Sequence, residues 1–493
     1  MFEKITPEQA GISSKNVVNF IQKIEKRGGT PHGILFMKGD KIFAEGYWKP
    51  FHQEFGHRMY SQTKSFVGVA IGLLEEEGKL SLDDTIVSHF PEKIDGELAE
   101  YLEKQTIRDM LKMTTVGECK WWFTSGDPDR THFYLNCDRK THPSGTVWAY
   151  DSAGSQVLSS LVEKLSGKTL LEYLKEKLFN EMGVFQTATV LQTPNGDSWG
   201  DSAMVCTLRD MAAFGRFVMN YGVWNGKRLM NEQYLRAATS ALVDNSATAH
   251  YAGYYQGYGY QIWRVCGNGF AFVGMGDQFT VCYPEKDLLF ACTSDNQGTS
   301  LIRELIFTNL EDMFVDEIQN SALPENKAAQ KELDALLSNL TLRHVHGWGD
   351  SPFRTALNGA TYECRENPMG ITKFTFVFHD EKSGELRYTN AQGDKIIPFG
   401  VNYNVFGKFP QLGYSNERGA VATTDGFMYD DAASLAWTGE KELLLFVQII
   451  DRYFGNMSAK FHFKDDEVYA VFSKAAENFL NEYQGSLVGR KAN

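Results

Sequence analysis

Two side chains of the sequence have the types and the spacing that nucleophilic catalysis requires. Ser61 and Lys64 form the only Ser-x-x-Lys of the chain. On a helix, side chains three positions apart share one face, with Cβ atoms about 5–6 Å apart, so the amine of Lys64 reaches the hydroxyl of Ser61. The amine accepts the serine proton only when it is neutral, and burial or a nearby cation favours the neutral form. The pair predicts a serine nucleophile if it is buried, and a capping hydroxyl beside a solvated lysine if it is not.

The element that carries this pair is predicted to be a helix over residues 61–77. Apolar residues recur at helical spacing through its middle, and Gly78 is typical of the residue that follows a helix. Gly68 and Gly72 each weaken a helix by about 1 kcal/mol relative to alanine. We therefore expect this helix to pack closely against its neighbours.

Strands and helices surround this helix in an order that predicts an α+β fold. A hairpin is predicted from strands at 34–37 and 42–44. Three further helices are predicted to begin at threonine caps that an acid follows three residues later: Thr106, Thr169 and Thr207. The remaining elements are strands at 258–263, 270–273, 279–283 and 288–293 and a helix at 301–314. An antiparallel sheet flanked by helices, with strands from both ends of the domain, satisfies this order.

The composition changes beyond about residue 320. Residues 321–344 are polar and are predicted to form a connecting helix and linker. From 345 to 493 the pattern favours strands, as where phenylalanines alternate at 374, 376 and 378. We predict a first domain at 1–320, a connection at 321–344 and a mostly β accessory domain at 345–493. The residues of the β domain do not decide whether it selects substrate or supports dimer contacts.

Charge and composition exclude several classes of protein. The 493-residue chain has 62 acidic and 49 basic residues and a formal charge of −13, which argues against nucleic acid or a membrane surface as a partner. The start of the chain lacks a secretory signal, and its most apolar run, 443–450, is too short to span a bilayer. Seven scattered cysteines without a Cys-x-x-Cys pair predict reduced thiols in a cytoplasmic protein. His344 and His346 lack further ligands nearby in the sequence, so no metal is expected.

Five stretches, in order along residues 1–320, resemble the serine β-lactamase-like superfamily of class C β-lactamases, DD-peptidases and related esterases and amide hydrolases. The stretches are Pro7-Glu8-Gln9-Ala10-Gly11, Gly56 to Asp84 around the Ser-x-x-Lys, Thr106 to Thr115, Pro143 to Gly154, and Phe272 to Gln278. The resemblance implies a β-lactamase/transpeptidase-like fold. Carried over residue by residue, it implies that Ser61 is the nucleophile, Lys64 its activating partner and Tyr150 the proton shuttle.

Two motifs depart from the family pattern. Ser152, which the resemblance implies as a substrate contact, stands where the tyrosine motif has asparagine, and Gly274-Met275-Gly276 stands where β-lactamases have Lys-Thr-Gly. The missing lysine removes a cation that would attract the carboxylate of a β-lactam or peptide, and Asp277 is expected to repel that carboxylate. A cephalosporin is therefore expected to be a poor substrate. A backbone N–H near Gly276 or Asp277, within a residue or two, is implied as an oxyanion donor.

The resemblance implies a serine hydrolase that cleaves a small-molecule ester or amide through an acyl-enzyme on Ser61, without a metal or organic cofactor. The alternative is a non-catalytic ligand-binding or sensor protein on the same fold. Whether the protein forms a homo-oligomer stays open. Tyr150 could be a packed aromatic, and Gly274 and Gly276 could serve a bulge or a close strand approach.

An aromatic run between the first two motifs has two interpretations. Trp121, Trp122 and Phe123 either wall an apolar pocket for the acyl group or belong to the core.

Overall fold

The computed structural model describes residues 2–119, 125–248, 253–299, 301–412, 427–476 and 479–492. These residues form two compact units, the first ending at Thr341 and the second beginning at Leu342. The aromatic run Trp121, Trp122 and Phe123 lies outside the described residues. Within the described residues, no helix combines the length and the apolar character needed to cross a membrane.

A seven-stranded sheet lies at the centre of the first unit. In spatial order its strands are Glu3–Lys4, Lys41–Tyr47, Pro31–Lys38, Leu288–Ser294, Gln278–Tyr283, Gly269–Gly274 and Trp263–Val265. The first pair is parallel and the other neighbours are antiparallel. The N-terminal hairpin thus pairs with a strand from the far end of the unit, as the sequence order predicts.

Helices cover both faces of this sheet, so its inner strands are buried on both sides. On one face Phe36 contacts three rings from the strands and the flanking helices: Phe20, Phe290 and Phe314. On the other face Phe214 stacks on Phe66 and contacts Phe272, with ring centroids 3.9 and 5.2 Å away. The predicted α+β fold with an antiparallel sheet is therefore confirmed.

The helices of the first unit include three that begin at the predicted threonine caps. Thr106 accepts a hydrogen bond from the third residue of its helix, and Thr169 and Thr207 form full capping boxes. The helices are Ser14–Lys26, Thr63–Glu76, Ile86–His89, Ile107–Leu111, Arg130–Asn136, Ser152–Ser166, Leu170–Leu174, Asn180–Met182, Leu208–Met219, Glu232–Ala238, Leu301–Leu310 and Lys327–Ser338. Wider π-helical turns at Lys175–Phe179 and Glu311–Val315 extend two of them. Short strands pair outside the main sheet: His57–Arg58, Thr189–Val190 and Met204–Cys206, and Val223–Trp224 with Lys227–Arg228.

The prediction of a strand at 258–263 is wrong, because the strand is Trp263–Val265. Gln261 has a φ of +58°, which turns the backbone before the strand begins. A Cβ atom at Gly259 would lie 1.9 Å from the carbonyl oxygen of Ala238, so the chain also approaches another segment there. This local packing overrides the alternating pattern of the sequence.

The second unit is a β-barrel, which confirms the mostly β C-terminal domain. Its strands, in spatial order, are Gly393–Val401, Ser383–Asn390, Lys373–Phe378, Thr361–Cys364, Gly485–Lys491, Glu467–Ala476, Phe454–Lys464, Glu442–Ile450, Asp430–Gly439 and Val405–Lys408. Parallel pairing of Gly400 with Ser434 closes the sheet. A short helix, Arg354–Leu357, precedes the first strand. A cavity of only about 10 Å³ among the apolar side chains around Phe374 and Phe461 shows that this part of the interior is filled by packing.

Glu45, in the strand Lys41–Tyr47, is a buried carboxylate with three donors. Arg209 donates two hydrogen bonds of 2.7 and 2.8 Å to it, and Lys4 and Tyr47 also contact its oxygens. Burial alone would raise the pKa of Glu45, but the hydrogen bonds from Arg209 and the other two donors lower it to about 2. The charged form therefore stabilises the fold above the ordinary carboxyl pKa, and this contribution is lost as the pH falls towards 2.

We expect Glu45→Gln to lower the free energy of unfolding by about 1–3 kcal/mol at pH 7. The difference from the wild type should shrink as the pH falls from 4.5 towards 2, because the Glu45 carboxyl takes up a proton in the unfolded chain before it does so in the folded protein. Urea unfolding at several pH values measures both quantities. Glu3→Gln, at an exposed ion pair with Lys41, is the matched control and should change stability by less than about 0.5 kcal/mol. A difference for Glu45→Gln that stays constant with pH would contradict the assignment.

Candidate active site

A sharp backbone turn places Ser61 at the start of its helix. Tyr60 has a φ of +48°, a left-handed conformation that costs a non-glycine residue about 1–3 kcal/mol. The Thr63 hydroxyl holds this turn, because it donates a hydrogen bond of 2.6 Å to the Tyr60 carbonyl and accepts one of 3.0 Å from the Met204 N–H. Ser61 lies in the short turn Tyr60–Gln62, which leads directly into the helix Thr63–Glu76.

The two glycines of this helix mark close contacts with neighbouring segments. A Cβ atom at Gly68 would lie 3.0 Å from the carbonyl oxygen of Tyr260. A Cβ atom at Gly72 would lie 2.4 Å from the ring of Tyr234. The tight packing predicted from these glycines is therefore confirmed, and it fixes the helix that carries Lys64.

The Ser-x-x-Lys pair is in contact and its amine is buried. Lys64 Nζ lies 3.0 Å from Ser61 Oγ and donates a second hydrogen bond, of 2.7 Å, to the backbone carbonyl of Asp201. The Lys64 side chain is 1% exposed. The lysine is therefore buried and not solvated, as the interpretation of Ser61 as a nucleophile requires.

Asp201 is a residue of this site that the sequence reasoning missed. Its carboxylate Oδ2 lies 3.6 Å from Lys64 Nζ, and its side chain is 2% exposed. Burial raises the pKa of the Asp201 carboxyl, although Lys64 and two buried arginines act in the opposite direction. No motif or spacing in the sequence connects the two residues, because only the fold brings them together.

Tyr150 lies beside Lys64 and is held by the start of the next helix. Lys64 Nζ is 5.0 Å from the centroid of the Tyr150 ring, which stacks on Trp263. Asp151 caps the helix Ser152–Ser166 through a hydrogen bond of 2.9 Å from the Gly154 N–H, and burial raises the pKa of its carboxyl. The cap fixes the backbone next to Tyr150. Ser152, predicted as a substrate contact, is the first residue of this helix.

A cavity of about 460 Å³ opens beside Ser61. Five of the residues that line it are aromatic, and one carries a guanidinium group. The lining residues are Ser61, Trp148, Ala149, Tyr150, Thr248, Tyr254, Tyr255, Trp263, Val273, Gly274, Met275 and Arg303. The cavity therefore combines the Ser61 side chain with an apolar wall and one fixed positive charge. Among the described residues, no group of three or more His, Cys, Asp or Glu side chains is arranged to hold a metal ion.

A larger groove, of about 610 Å³, lies elsewhere in the first unit, between Phe2, Met182 and Trp224. Its described lining contains no serine, cysteine or lysine, so it lacks a nucleophile paired with an amine. Size alone therefore does not identify the active site, and the chemistry favours the cavity at Ser61.

The segment from Gly274 to Asp277 is arranged differently from what the sequence predicts. Gly274 lies at the cavity, but a Cβ atom there would also lie 2.2 Å from the Met59 carbonyl oxygen, so close approach of the strand to the segment before Ser61 requires glycine. Gly276 and Asp277 have φ values of +76° and +68° and form the turn that follows. Neither of them, nor Ser152, is among the described residues that line the cavity.

The expected repulsion of a substrate carboxylate by Asp277 does not fit the structure. The Asp277 side chain is 1% exposed, and Arg303 Nε lies 2.7 Å from its Oδ1. Burial raises the pKa of Asp277, whereas the ion pair with Arg303 opposes this. Arg303 also donates a hydrogen bond of 3.0 Å to the Tyr254 hydroxyl and lines the cavity. The charge presented to the cavity is therefore the guanidinium and not the carboxylate.

We expect Arg303→Met to lower the free energy of unfolding by about 3–5 kcal/mol at pH 7, because it leaves Asp277 buried without its ion pair. Thermal or urea unfolding measures the loss. The double variant Asp277→Asn/Arg303→Met is the matched control and should recover at least half of it, because no buried charge is then left. A loss for Arg303→Met below 0.5 kcal/mol, or no recovery in the double variant, would contradict this pairing.

The first unit has a β-lactamase/transpeptidase-like fold, and comparison with known proteins gives the family. The Beta-lactamase family model matches residues 19–306, more than half of the chain, so the chain belongs to the Beta-lactamase family. A solved Bacillus anthracis protein, provisionally named 6-aminohexanoate-dimer hydrolase, has a TM-score of 0.55 at 18% identity, with 66% of this chain and 89% of that chain covered. This likeness supports the fold.

Two curated relatives each match part of the chain. A 6-aminohexanoate-dimer hydrolase from Paenarthrobacter ureafaciens is 24% identical over 219 residues, which are 41% of this chain and 56% of that protein. An N-acetylmuramyl-L-alanine amidase from Bacillus subtilis is 26% identical over 213 residues, which are 37% of this chain and 48% of that protein. The chain thus spans about half the length of these relatives.

Proposed function

We propose that this protein is a serine hydrolase that cleaves an ester or amide bond through an acyl-enzyme on Ser61. The observation that carries the proposal is the 3.0 Å contact between Lys64 Nζ and Ser61 Oγ, with the amine buried and the serine at a 460 Å³ cavity. Membership of the Beta-lactamase family supports the same chemistry.

In the proposed acylation step, Ser61 Oγ attacks the carbonyl carbon of the substrate and its proton passes to Lys64. Asp201 holds the amine in place through its backbone carbonyl and its nearby carboxylate. Tyr150, whose ring centroid lies 5.0 Å from the amine, relays a proton to the leaving group, which departs as a neutral alcohol or amine. A water molecule, activated by the same groups, then releases the acid and restores Ser61.

The negative charge that develops on the carbonyl oxygen needs donors fixed in advance. We assign this role to the backbone N–H groups of Ser61 and of the Gly274–Met275 segment. The sequence placed the second donor near Gly276 or Asp277, within a residue or two. Met275 suits the role better, because it lines the cavity together with Ser61.

The substrate proposed here is a small molecule whose acyl or leaving group packs on aromatic rings. Trp148, Tyr254 and Tyr255 supply much of that wall. The name of the Bacillus subtilis relative supports an amide bond as the natural target.

The alternative function is a non-catalytic ligand-binding or sensor protein on the same fold. Such a protein would need the cavity but not an amine held against the serine hydroxyl. The buried contact of Lys64 with Ser61 therefore favours the enzyme, and covalent labelling separates the two functions.

We expect a fluorophosphonate probe to label the wild type at Ser61 and to leave Ser61→Ala unlabelled. Lys64→Met should slow labelling by about 10²-fold or more, because the proton acceptor is gone. Ser88→Ala, at an exposed serine of the same unit, is the control and should label like the wild type. Intact mass spectrometry over time measures the rates. A folded wild type that resists labelling would favour the binding protein.

A substrate series tests the bond that is cleaved. We expect turnover of a short-chain nitrophenyl ester and of a D-alanyl anilide to depend on Ser61 and to exceed turnover of a chromogenic cephalosporin. The reason is that Gly274-Met275-Gly276 stands where β-lactamases have Lys-Thr-Gly, so the lysine that would bind the β-lactam carboxylate is missing. The guanidinium at the cavity does not replace it, because Arg303 is already paired with Asp277 and the Tyr254 hydroxyl. Initial rates at matched concentration, with Ser61→Ala as background, measure the order. Efficient cephalosporin turnover would instead make a β-lactam the preferred substrate class.

A further inference from the structure

Two cysteines that are far from a Cys-x-x-Cys spacing lie side by side in the first unit. The Sγ atoms of Cys119 and Cys137 are 3.0 Å apart. Cys137 is the residue that ends the helix Arg130–Asn136, and Cys119 is buried beneath it. All seven cysteines of the chain are free thiols in this structure. A disulfide has an S–S distance of about 2.05 Å, so a movement of about 1 Å would join these two sulfurs.

The two thiols differ in how readily they lose a proton. The hydrogen bond from Cys119 lowers the pKa of Cys137 to about 7, even though burial opposes this. The same hydrogen bond, together with burial, raises the pKa of Cys119. Cys137 is therefore the thiol of the pair that more readily becomes a thiolate, and thiol–disulfide exchange begins with a thiolate.

A buried cation beside the pair supports the same assignment. The Arg139 guanidinium packs over the Tyr134 ring at 4.3 Å, and its Nη2 donates a hydrogen bond of 3.0 Å to the Tyr134 carbonyl. Within the described residues, its buried Nε and Nη1 atoms have no hydrogen-bond acceptor. Arg139 also acts electrostatically on both thiols. A buried guanidinium with unfilled donors favours an anion next to it, and the Cys137 thiolate is such an anion.

We propose that Cys119 and Cys137 form a reversible intramolecular disulfide and are a redox modification site of this protein. The oxidant is a low-molecular-weight disulfide such as oxidised glutathione. The Cys137 thiolate attacks one sulfur of the oxidant, forms a mixed disulfide and releases a thiolate. Cys119 then loses its proton and attacks Cys137 Sγ, which releases the second thiol. Two protein thiols are oxidised by two electrons, and one glutathione disulfide is reduced to two glutathione molecules.

The pair is connected to the helix that follows Tyr150. Cys137 Sγ lies 3.7 Å from the Tyr134 carbonyl oxygen, and the Tyr134 hydroxyl lies 3.5 Å from Asp151 Oδ2. Asp151 caps the helix Ser152–Ser166. Closing the disulfide therefore changes the surroundings of the cap next to Tyr150, whether or not the proposed hydrolase function holds.

To test this, the reduced protein is incubated with oxidised glutathione at pH 7. The remaining thiols are then blocked with an alkylating agent, and the peptides are mapped by mass spectrometry. We expect a peptide pair linked through Cys119 and Cys137, and reversal by excess dithiothreitol. Cys119→Ser should stop at glutathione bound to Cys137, and Cys137→Ser should give neither product. Circular dichroism checks that each variant is folded.

Cys364 is the matched control, because it is also only partly buried but burial raises its pKa to about 11. Glutathione should react with Cys137 of Cys119→Ser at least tenfold faster than with Cys364. Cys364→Ser should still form the Cys119–Cys137 link at the wild-type rate. Failure of the folded wild type to form the link, or equal reactivity of Cys137 and Cys364, would overturn the proposal.

Discussion

The buried amine of Lys64 is the constraint on which the site depends. An amine with 1% of its side chain exposed must find all its partners inside the protein, because an unpaired polar group in the interior costs several kcal/mol. The partners of the amine are the Ser61 hydroxyl and the backbone carbonyl and carboxylate of Asp201. The serine is therefore held against the amine by the same contacts that make the burial of the amine tolerable.

The fold around the amine leaves little freedom to relax. The strained turn at Tyr60 is fixed by Thr63, and the glycines at 68 and 72 let the helix approach two other segments. In the sheet, Gly274 lets the end of its strand approach the Met59 carbonyl oxygen closely. The positions of Ser61, Lys64 and the strand edge are thus set by backbone packing, which is the kind of support that a preorganised site needs.

The sequence predicts those features that local chemistry determines. The helix from residue 63, the threonine caps and the hairpin strands follow from spacing and capping alone. Asp201 and the Asp277–Arg303 ion pair could not be predicted in this way, because their partners lie far away along the chain. The contact between Cys119 and Cys137 has the same origin. The prediction of a strand at 258–263 is wrong because the close approach of Gly259 to Ala238 and the positive φ of Gln261 determine the backbone there. The alternation of apolar and polar residues does not.

The Asp277–Arg303 pair shows why the residue types near a cavity in the sequence can predict the wrong sign for the charge at that cavity. Asp277 is adjacent to the cavity in sequence, yet its carboxylate is buried and neutralised, while the guanidinium that neutralises it reaches the cavity wall from a later helix. A buried carboxylate is stable only with such a partner. A cation must therefore lie close to it. The cavity is lined by that cation, Arg303, which is the more exposed partner of the pair. The sign of the charge at the cavity follows from burial, which the fold determines, and not from residue type.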